Sequence, residues 1–147
     1  MGRIISRRSR PNTITLYNYV STANSVAIYQ RTVIERVYLD PTYQQRLAQK
    51  GVATQDTAQL IIDTRDITTT SNRVYMRAKA WAALATKTGY FTFNPATDFF
   101  IDGNVADTMP SVTKQQMIAK YTCISVTSIA TPASDVDSVV TIEVLGR

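Results

Sequence analysis

Histidine is absent from the chain and cysteine occurs once, and both facts exclude whole classes of site. Without an imidazole, the Ser-His-Asp and Cys-His arrangements of nucleophilic catalysis and any histidine-containing zinc site are excluded. Cys123 has no second cysteine with which to form an intrachain disulfide. Because it falls in the middle of a predicted strand, we expect a small buried hydrophobic side chain there in preference to a reactive thiol.

Glycine and long apolar runs are also scarce. The five glycines never fall at the spacing of a phosphate-binding loop or a dinucleotide fingerprint. The longest apolar run, residues 80–85, is far shorter than the roughly 20 residues that a membrane span needs. Residues 1–10 lack the hydrophobic region of a secretory signal. We therefore expect no membrane contact and a location inside a cell, or inside a particle assembled in one.

Positive charge is concentrated at the N-terminal end. The formal net charge is +5, yet the first ten residues hold four arginines and no acid, namely Arg3, Arg7, Arg8 and Arg10. The other residues carry 12 basic and 11 acidic side chains and are nearly neutral. We interpret the chain as a basic arm, residues 1–10, and a single β-barrel-like domain, residues 11–147. The arm is expected to dock on a partner protein or subunit; contact with DNA phosphates and a solubilising tail are the alternatives.

The β-branched residues predict sheet. Thr (21), Val (13) and Ile (13) far outnumber Leu (6), and branching at Cβ favours strands over helices. About seven segments show strand patterns, and most can pair with a neighbour along the chain. We therefore predict a mainly β (α+β) fold, a small curled antiparallel sheet or β-barrel. The predicted strands are residues 13–20, 26–39, 57–64, 90–93, 99–105, 122–129 and 138–145.

Two helices and one long polar excursion interrupt these strands. The main helix is predicted over residues 73–87, where apolar side chains recur at helical spacing before Gly89. A short helix over residues 113–120 begins with Thr113 and Gln116, which fit a capping box. The excursion, residues 42–56, is long for a loop in a compact domain, and such loops are often functional.

Two pairs of carboxylates are the strongest candidates for chemistry. Asp63 and Asp66 flank an arginine, and Asp98 and Asp102 stand four residues apart. Such pairs can act as general acid and base or can ligate a divalent cation. Each pair lies at a predicted strand end, where aspartate is a common turn residue. We therefore expect no enzymatic activity, no metal and no cofactor.

Aromatic and basic residues alternate in the first two strands. Stacking aromatics among arginines are typical of barrels that bind single-stranded nucleic acid. The alternative is that the tyrosines fill half-buried sheet positions while the arginine heads reach water or a neighbouring subunit. The nearly neutral body favours this second interpretation. The residues concerned are Tyr17, Tyr19, Tyr29, Tyr38, Arg31 and Arg36.

Three blocks of sequence resemble one group of proteins. They are Thr-Val-Ile-Glu-x-Val at residues 32–37, Gly-Tyr-Phe-Thr to Asp-Gly-x-Val at residues 89–105, and Ile-Ser-Val-Thr-Ser-Ile at residues 124–129. With these blocks, residues 13–147 resemble small neck proteins of tailed bacteriophages, of the type encoded between the major capsid and major tail proteins in phages of Gram-positive hosts. Two features depart from that group: Arg36 stands where its members favour glycine, and the arginine-rich arm is longer than usual.

The resemblance implies a structural virion protein of the head-completion, head-tail connector or stopper type. Such a protein forms a ring, here of six or twelve copies, in the neck of the virion after assembly in the host cytoplasm. Its partners would be a portal or adaptor protein, tail terminator or tail tube proteins, and packaged double-stranded DNA in the channel. The loop that projects into the channel would be residues 42–56, with Arg46, Lys50 and Gly51 as candidate channel residues.

Two other functions are compatible with the sequence. A tail terminator or a tail-side adaptor would form a similar ring of small subunits. A single-strand nucleic-acid-binding β-barrel belongs to another class, and it predicts salt-sensitive binding of an oligonucleotide by the isolated chain.

Overall fold

Strands dominate the structure, a computed structural model that describes residues 11–40, 58–109, 112–130 and 141–147. Two short helices, α1 (Ala78–Ala82) and α2 (Lys114–Lys120), and a 3-10 turn (Thr70–Asn72) accompany the strands. The strands are β1 (Asn12–Ala23), β2 (Val26–Asp40), β3 (Ala58–Asp63), β4 (Thr68–Thr69), β5 (Val74–Tyr75), β6 (Tyr90–Phe91), β7 (Phe99–Asp102), β8 (Cys123–Ala130) and β9 (Thr141–Gly146).

Six of these strands form a closed antiparallel barrel. Their order is β1-β7-β8-β9-β3-β2, and the pairing of β1 with β2 closes the ring, while β4 adds to β2 outside it. Four of the six barrel pairings, β1–β2, β2–β3, β7–β8 and β8–β9, join strands with consecutive numbers. The other two, β1–β7 and β3–β9, join strands that are far apart in the chain. This architecture confirms the predicted fold class of a small, mainly β barrel with two helices.

Two hydrophobic clusters lie on opposite faces of the barrel wall. Along β1 the side chains alternate, so that Ile14 and Leu16 join one cluster and Tyr17 joins the other. The first cluster gathers apolar residues of all six barrel strands together with Phe91 and Phe93. In the second, Met117 of α2 packs with Tyr17 and other residues of β1, β2 and β7. Helix α2 therefore covers an apolar patch on the outside of the barrel.

The first hairpin is longer than the sequence pattern indicates. Its ladder continues through the pairs Ser21↔Ile28, Thr22↔Ala27 and Ala23↔Val26, so the predicted turn over residues 21–25 shrinks to two residues. Asn24 and Ser25 both have positive φ, as the tight type I′ hairpin turn requires. Neither β7 nor β4 pairs with residues 20–28, so this end of the hairpin extends beyond its neighbours.

The prediction of a helix over residues 73–87 was wrong for most of that range. Only Ala78–Ala82 is helical, and Val74 and Tyr75 form a strand parallel to β6. The amides of Val74 and Met76 donate to the carbonyl oxygens of Gly89 and Phe91 (3.1 and 2.9 Å). These non-local hydrogen bonds hold the first turn of the predicted helix in extended geometry, which overrides the local helical preference.

Helix α2 begins as the sequence predicts. The Thr113 hydroxyl accepts from the Gln116 amide (3.2 Å), and the Gln116 side chain accepts from the Thr113 amide (2.9 Å). This reciprocal capping box satisfies two amides that the helix itself leaves without partners.

Arg36 occupies a backbone position that favours glycine. Its φ is 64°, and the β1–β2 register shifts at this point, since Asn12 pairs with Val37 and Thr13 pairs with Glu35. A residue of left-handed conformation at a register shift is typical of a β-bulge, where glycine is the usual choice. Arg36, which stands where the resembling phage proteins favour glycine, therefore has a strained backbone conformation. The Arg36 side chain donates to the Thr68 hydroxyl (2.7 Å).

Candidate interaction surfaces

The two basic segments singled out in the sequence lie outside the described residues. This applies to the arm residues Arg3, Arg7, Arg8 and Arg10 and to the candidate channel residues Arg46, Lys50 and Gly51. Their predicted roles stay predictions.

Two of the four hairpin tyrosines, Tyr17 and Tyr29, are buried, whereas Tyr19 and Tyr38 are half-buried. Tyr17 is 0% exposed and stacks on Phe99 with ring centroids 5.1 Å apart, and its hydroxyl donates to the Asp107 carbonyl (2.6 Å). Burial raises the pKa of Tyr17 to about 12. Tyr29 is also buried, edge-on to the same phenylalanine. Both rings belong to the cluster beneath α2, so neither can stack on a base while the domain is folded.

The arginines of this hairpin hold the surrounding chain in place. Arg31 donates through Nε to the Val105 carbonyl (2.5 Å) and through Nη2 to the Asn104 side chain (2.9 Å). These contacts tie β2 to the segment after β7. The structural interpretation of this aromatic and basic pattern is thus correct for Tyr17, Tyr29 and Arg31.

The two predicted carboxylate pairs do not converge on a metal site. Within residues 11–40, 58–109, 112–130 and 141–147, no group of three or more potential ligands is close enough to hold an ion. Asp63 is bound by the Arg65 guanidinium (Nε to Oδ1, 3.1 Å; Nη2 to Oδ2, 3.2 Å). Asp102 is exposed, whereas Asp98 is buried.

Asp98 organises one end of the barrel. It is 2% exposed, and its carboxylate accepts four hydrogen bonds: from Asn18 Nδ2 (2.7 Å), the Tyr19 amide (2.9 Å), the Asn94 amide (2.9 Å) and the Thr97 hydroxyl (3.0 Å). Desolvation raises the pKa of Asp98, and these hydrogen bonds only partly offset it. The network fixes the turn over residues 94–98 against β1, which is a structural role.

Cys123 is half-buried against the cluster beneath α2. Burial raises the pKa of its thiol, and Lys114 lowers it by a smaller amount. A raised thiol pKa disfavours the reactive thiolate, in agreement with the packing role expected from the sequence.

A groove beside β5 is a concave feature of the described surface. Its volume is about 660 Å³, within the range of about 300 to 1,000 Å³ typical of ligand pockets. Three arginines line it, of which Arg65 is bound to Asp63, and none of the described lining residues is acidic. Apolar groups share the lining, and the full set is Thr64, Arg65, Ile67, Thr69, Asn72, Arg73, Val74, Tyr75, Met76, Arg77 and Ala80. We call this feature the arginine groove.

Three hydrogen bonds hold the Arg73 side chain in place. Its Nη1 donates to the Arg31 carbonyl (2.6 Å) and the Thr32 hydroxyl (2.9 Å), and its Nε donates to the Thr88 carbonyl (2.8 Å). All of these acceptors are uncharged. Desolvation, followed by the nearby Arg31, lowers the pKa of Arg73. The arginine groove therefore contains a positioned cation that no carboxylate neutralises within the described part of the chain.

Sequence analysis missed the arginine groove. Arg65 falls in a stretch interpreted as a polar connector, and Arg73 and Arg77 stand four apart in the helix wrongly predicted there. A pair at that spacing indicates a solvated helix face, not a groove wall. Only the pairing of β5 with β6 brings them together with Arg65.

The described residues thus define a small closed β-barrel with a covered outer patch, an extended hairpin and a basic groove. A family model described as "Family of unknown function (DUF6751)" matches residues 10–143, so the chain belongs to that family. Nearly all of the arginine-rich arm lies before the matched region. No curated protein and no solved structure matches the chain. Among the described residues, no helix has the length and apolar character to cross a membrane.

Proposed function

We propose that this chain is a structural protein of a tailed phage virion, a subunit of a head-closure or stopper ring at the head-tail interface. In this role it joins a portal or adaptor protein to the tail and helps to retain packaged DNA. The observation that carries the proposal is the set of three sequence blocks that resemble those of phage neck proteins. On this fold the blocks fall on β2, on the stretch from β6 to β7, and on β8.

The shape of the domain is compatible with assembly. A closed barrel has few open edges, which suppresses uncontrolled strand pairing and leaves association to defined surfaces. The extended end of the first hairpin is one such surface, since Val20 and Val26 are 37% and 39% exposed there. A contact between this surface and a different patch of the next copy would be heterologous, and heterologous contacts form a ring when the rotation between copies closes.

The buried aromatic rings favour this proposal over the single-strand-binding barrel. That alternative needs exposed aromatic faces, and Tyr17 and Tyr29 instead pack in a hydrophobic cluster. A tail terminator or tail-side adaptor would use the same barrel. The position of the ring in the particle distinguishes these roles from that of a head-closure protein.

The test is a phage whose gene for this protein is interrupted, complemented by the wild-type chain or by variants. We expect DNA-filled heads that lose their DNA and do not join tails, with complementation restoring intact particles. Complete, infectious particles that lack the chain would contradict the proposal. Tails of abnormal length attached to stable heads would instead indicate a tail terminator.

A second measurement addresses the channel loop. We expect an electron microscopy map of the neck to place residues 42–56 on the inner wall of a ring, with Arg46 and Lys50 near DNA phosphates. A map that places them on the outer rim would refute this part of the proposal. Fluorescence anisotropy of a labelled oligonucleotide with the isolated chain, at low and high salt, tests the alternative class. Tight binding that salt abolishes would favour a nucleic-acid-binding barrel.

A further inference from the structure

We infer that the extended end of the first hairpin, residues 20–28, joins copies of this chain edge to edge, with β2 of one copy paired to β1 of the next. The contact continues the antiparallel β1–β2 ladder from one subunit into its neighbour. The inference rests on the proposed function in taking a ring as the assembled form, whereas the contact itself is argued from the hairpin alone.

The first observation is an open edge on β2. The Val33 amide points away from β1, since it donates to the Thr70 hydroxyl (2.9 Å), which directly follows β4. Because backbone groups alternate in direction along a strand, those of Ala27 and Tyr29 point to the same edge. Neither residue has a backbone hydrogen-bond partner at that edge within the described ranges. This part of β2 can therefore accept a further strand.

The second observation is a matching edge on β1. Ala23 and Val26 flank the two-residue turn as a pair, and residues that flank such a turn bond to each other. Thr22, one residue further along, therefore directs its amide and carbonyl away from β2. Neither group has a partner among the described residues, because β7 pairs only with residues 14–17 of β1. The hairpin thus has one open edge on each side.

The third observation is the lack of charge. Residues 11–30 contain no Lys, Arg, Asp or Glu, although charged residues make up 18% of the chain. Exposed strand edges of monomeric proteins are usually protected by charged side chains, above all lysine. This hairpin instead exposes the apolar side chains of Val20 and Val26. Depletion of charge is typical of the core of a protein interface.

These observations together select the partner. An uncharged edge fits a second uncharged edge, and the hairpin itself supplies both. In a ring, neighbouring copies are related by a rotation, so the β1 edge of one copy meets the β2 edge of the next with the strands antiparallel. A strand from a different protein would cover one edge and leave the other open, whereas a ring of copies covers both edges of every hairpin.

Disulfide trapping in the purified full-length chain tests the contact. Thr22→Cys and Ala27→Cys are prepared as separate variants, each with Cys123→Ser to remove the only native thiol, and are then mixed and oxidised. Separate chains are needed because residues 22 and 27 also face each other within one hairpin. Across copies they would form a hydrogen-bonded pair with Cα atoms about 5.5 Å apart, which a disulfide can span. We expect covalent dimers in the mixture and none in either variant alone.

A charge placed on the hairpin provides the second readout. Val26→Lys, added to both cysteine variants, should lower the yield of covalent dimer by about tenfold or more, because association would bury an unpaired charge. Ala119→Lys is the matched control, since it adds the same charge to the exposed surface of α2, and the yield should stay within about twofold.

Several results would overturn the inference. They are a mixture without covalent dimers, an unchanged yield with Val26→Lys, or dimers of Ala27→Cys alone, which would indicate a symmetric β2–β2 contact. The proposed function fails separately. If the mixture forms dimers but phage that lack the chain stay infectious, the contact is supported and the phage role is contradicted. If such phage lose DNA and tails but no dimers form, the role is supported and the contact is refuted.

Discussion

Replacing Asp98 by asparagine tests the hydrogen-bond network that closes one end of the barrel. The carboxylate accepts from two donors on each oxygen, and the amide of asparagine can accept on one side only. If the new NH₂ group takes the Oδ1 position, the Thr97 hydroxyl can rotate and accept from it, but the Tyr19 amide loses its partner. In the opposite orientation, the donors of Asn18 and Asn94 both lose theirs.

The cheaper orientation therefore leaves one buried amide without an acceptor. That costs about 1–3 kcal/mol of the free energy of unfolding. The desolvation of a carboxylate, which raises the pKa of Asp98, is relieved in the variant and offsets part of this cost at neutral pH. We expect Asp98→Asn to destabilise by about 1–3 kcal/mol and Asp98→Ala by at least as much. Asp102→Asn is the control: the residue is exposed, and we expect a change within about 0.5 kcal/mol.

Urea unfolding followed by fluorescence measures these effects, since Trp81 is the single tryptophan and is 5% exposed. The midpoint should fall while the slope stays constant. The pH dependence has a definite sign. Because folding raises the pKa of Asp98 above its ordinary value of 3.8, this group stabilises the fold at low pH. That contribution is lost as pH rises through the folded pKa.

The stability difference between wild type and Asp98→Asn should accordingly shrink as pH rises from below 3.8 through the raised pKa. A difference that grows over that range, or a variant as stable as the wild type at every pH, would refute the reasoning about this network.

Three further substitutions test other parts of the fold by the same unfolding assay. Gly146→Ala places a Cβ 2.6 Å from the Ser125 carbonyl oxygen and should lower the free energy of unfolding by about 1–3 kcal/mol. In the control Gly89→Ala the new Cβ meets nothing within 4 Å, so the effect should be close to zero. Equal effects of the two substitutions would contradict the close approach at Gly146. Thr113→Ala removes the cap of α2 and should cost about 1 kcal/mol, and no loss would mean that the capping box contributes nothing. Arg36→Gly and Arg36→Ala lose the same side-chain contacts, but only glycine adopts a φ of 64° without strain. The glycine variant should therefore be more stable than the alanine variant by about 1 kcal/mol. Identical unfolding midpoints would argue against backbone strain at this position.

Local patterns in the sequence were sufficient for the barrel and for α2. Alternation along β1 separates Leu16 from Tyr17 onto opposite faces, and the Thr113 capping box marks the start of a helix. Both signals depend on residues close together in the chain. The pattern failed over residues 73–87, because the structure there is decided by hydrogen bonds to Gly89 and Phe91 that no local propensity records.

The candidate sites also divide into those that local sequence indicates and those that depend on contacts between distant residues. The arm and the channel loop were identified from composition and length, which say nothing of what those segments contact. The arginine groove could not be predicted, since its lining combines Arg65 with Arg73 and Arg77 from the segment around the parallel pair β5–β6. Asp98 was singled out as a candidate acid or ligand, but its burial among four donors is a property of the folded turn.

The position of β9 sets the order of events during synthesis. This strand lies between β8 and β3, and of the six barrel strands it is the last to be made. Until β9 leaves the ribosome, β3 and β8 each present an open edge that another strand can join. A nascent chain therefore cannot close its barrel before β9 has been made. Chains truncated before residue 141 should associate through those two edges instead of folding into a smaller barrel.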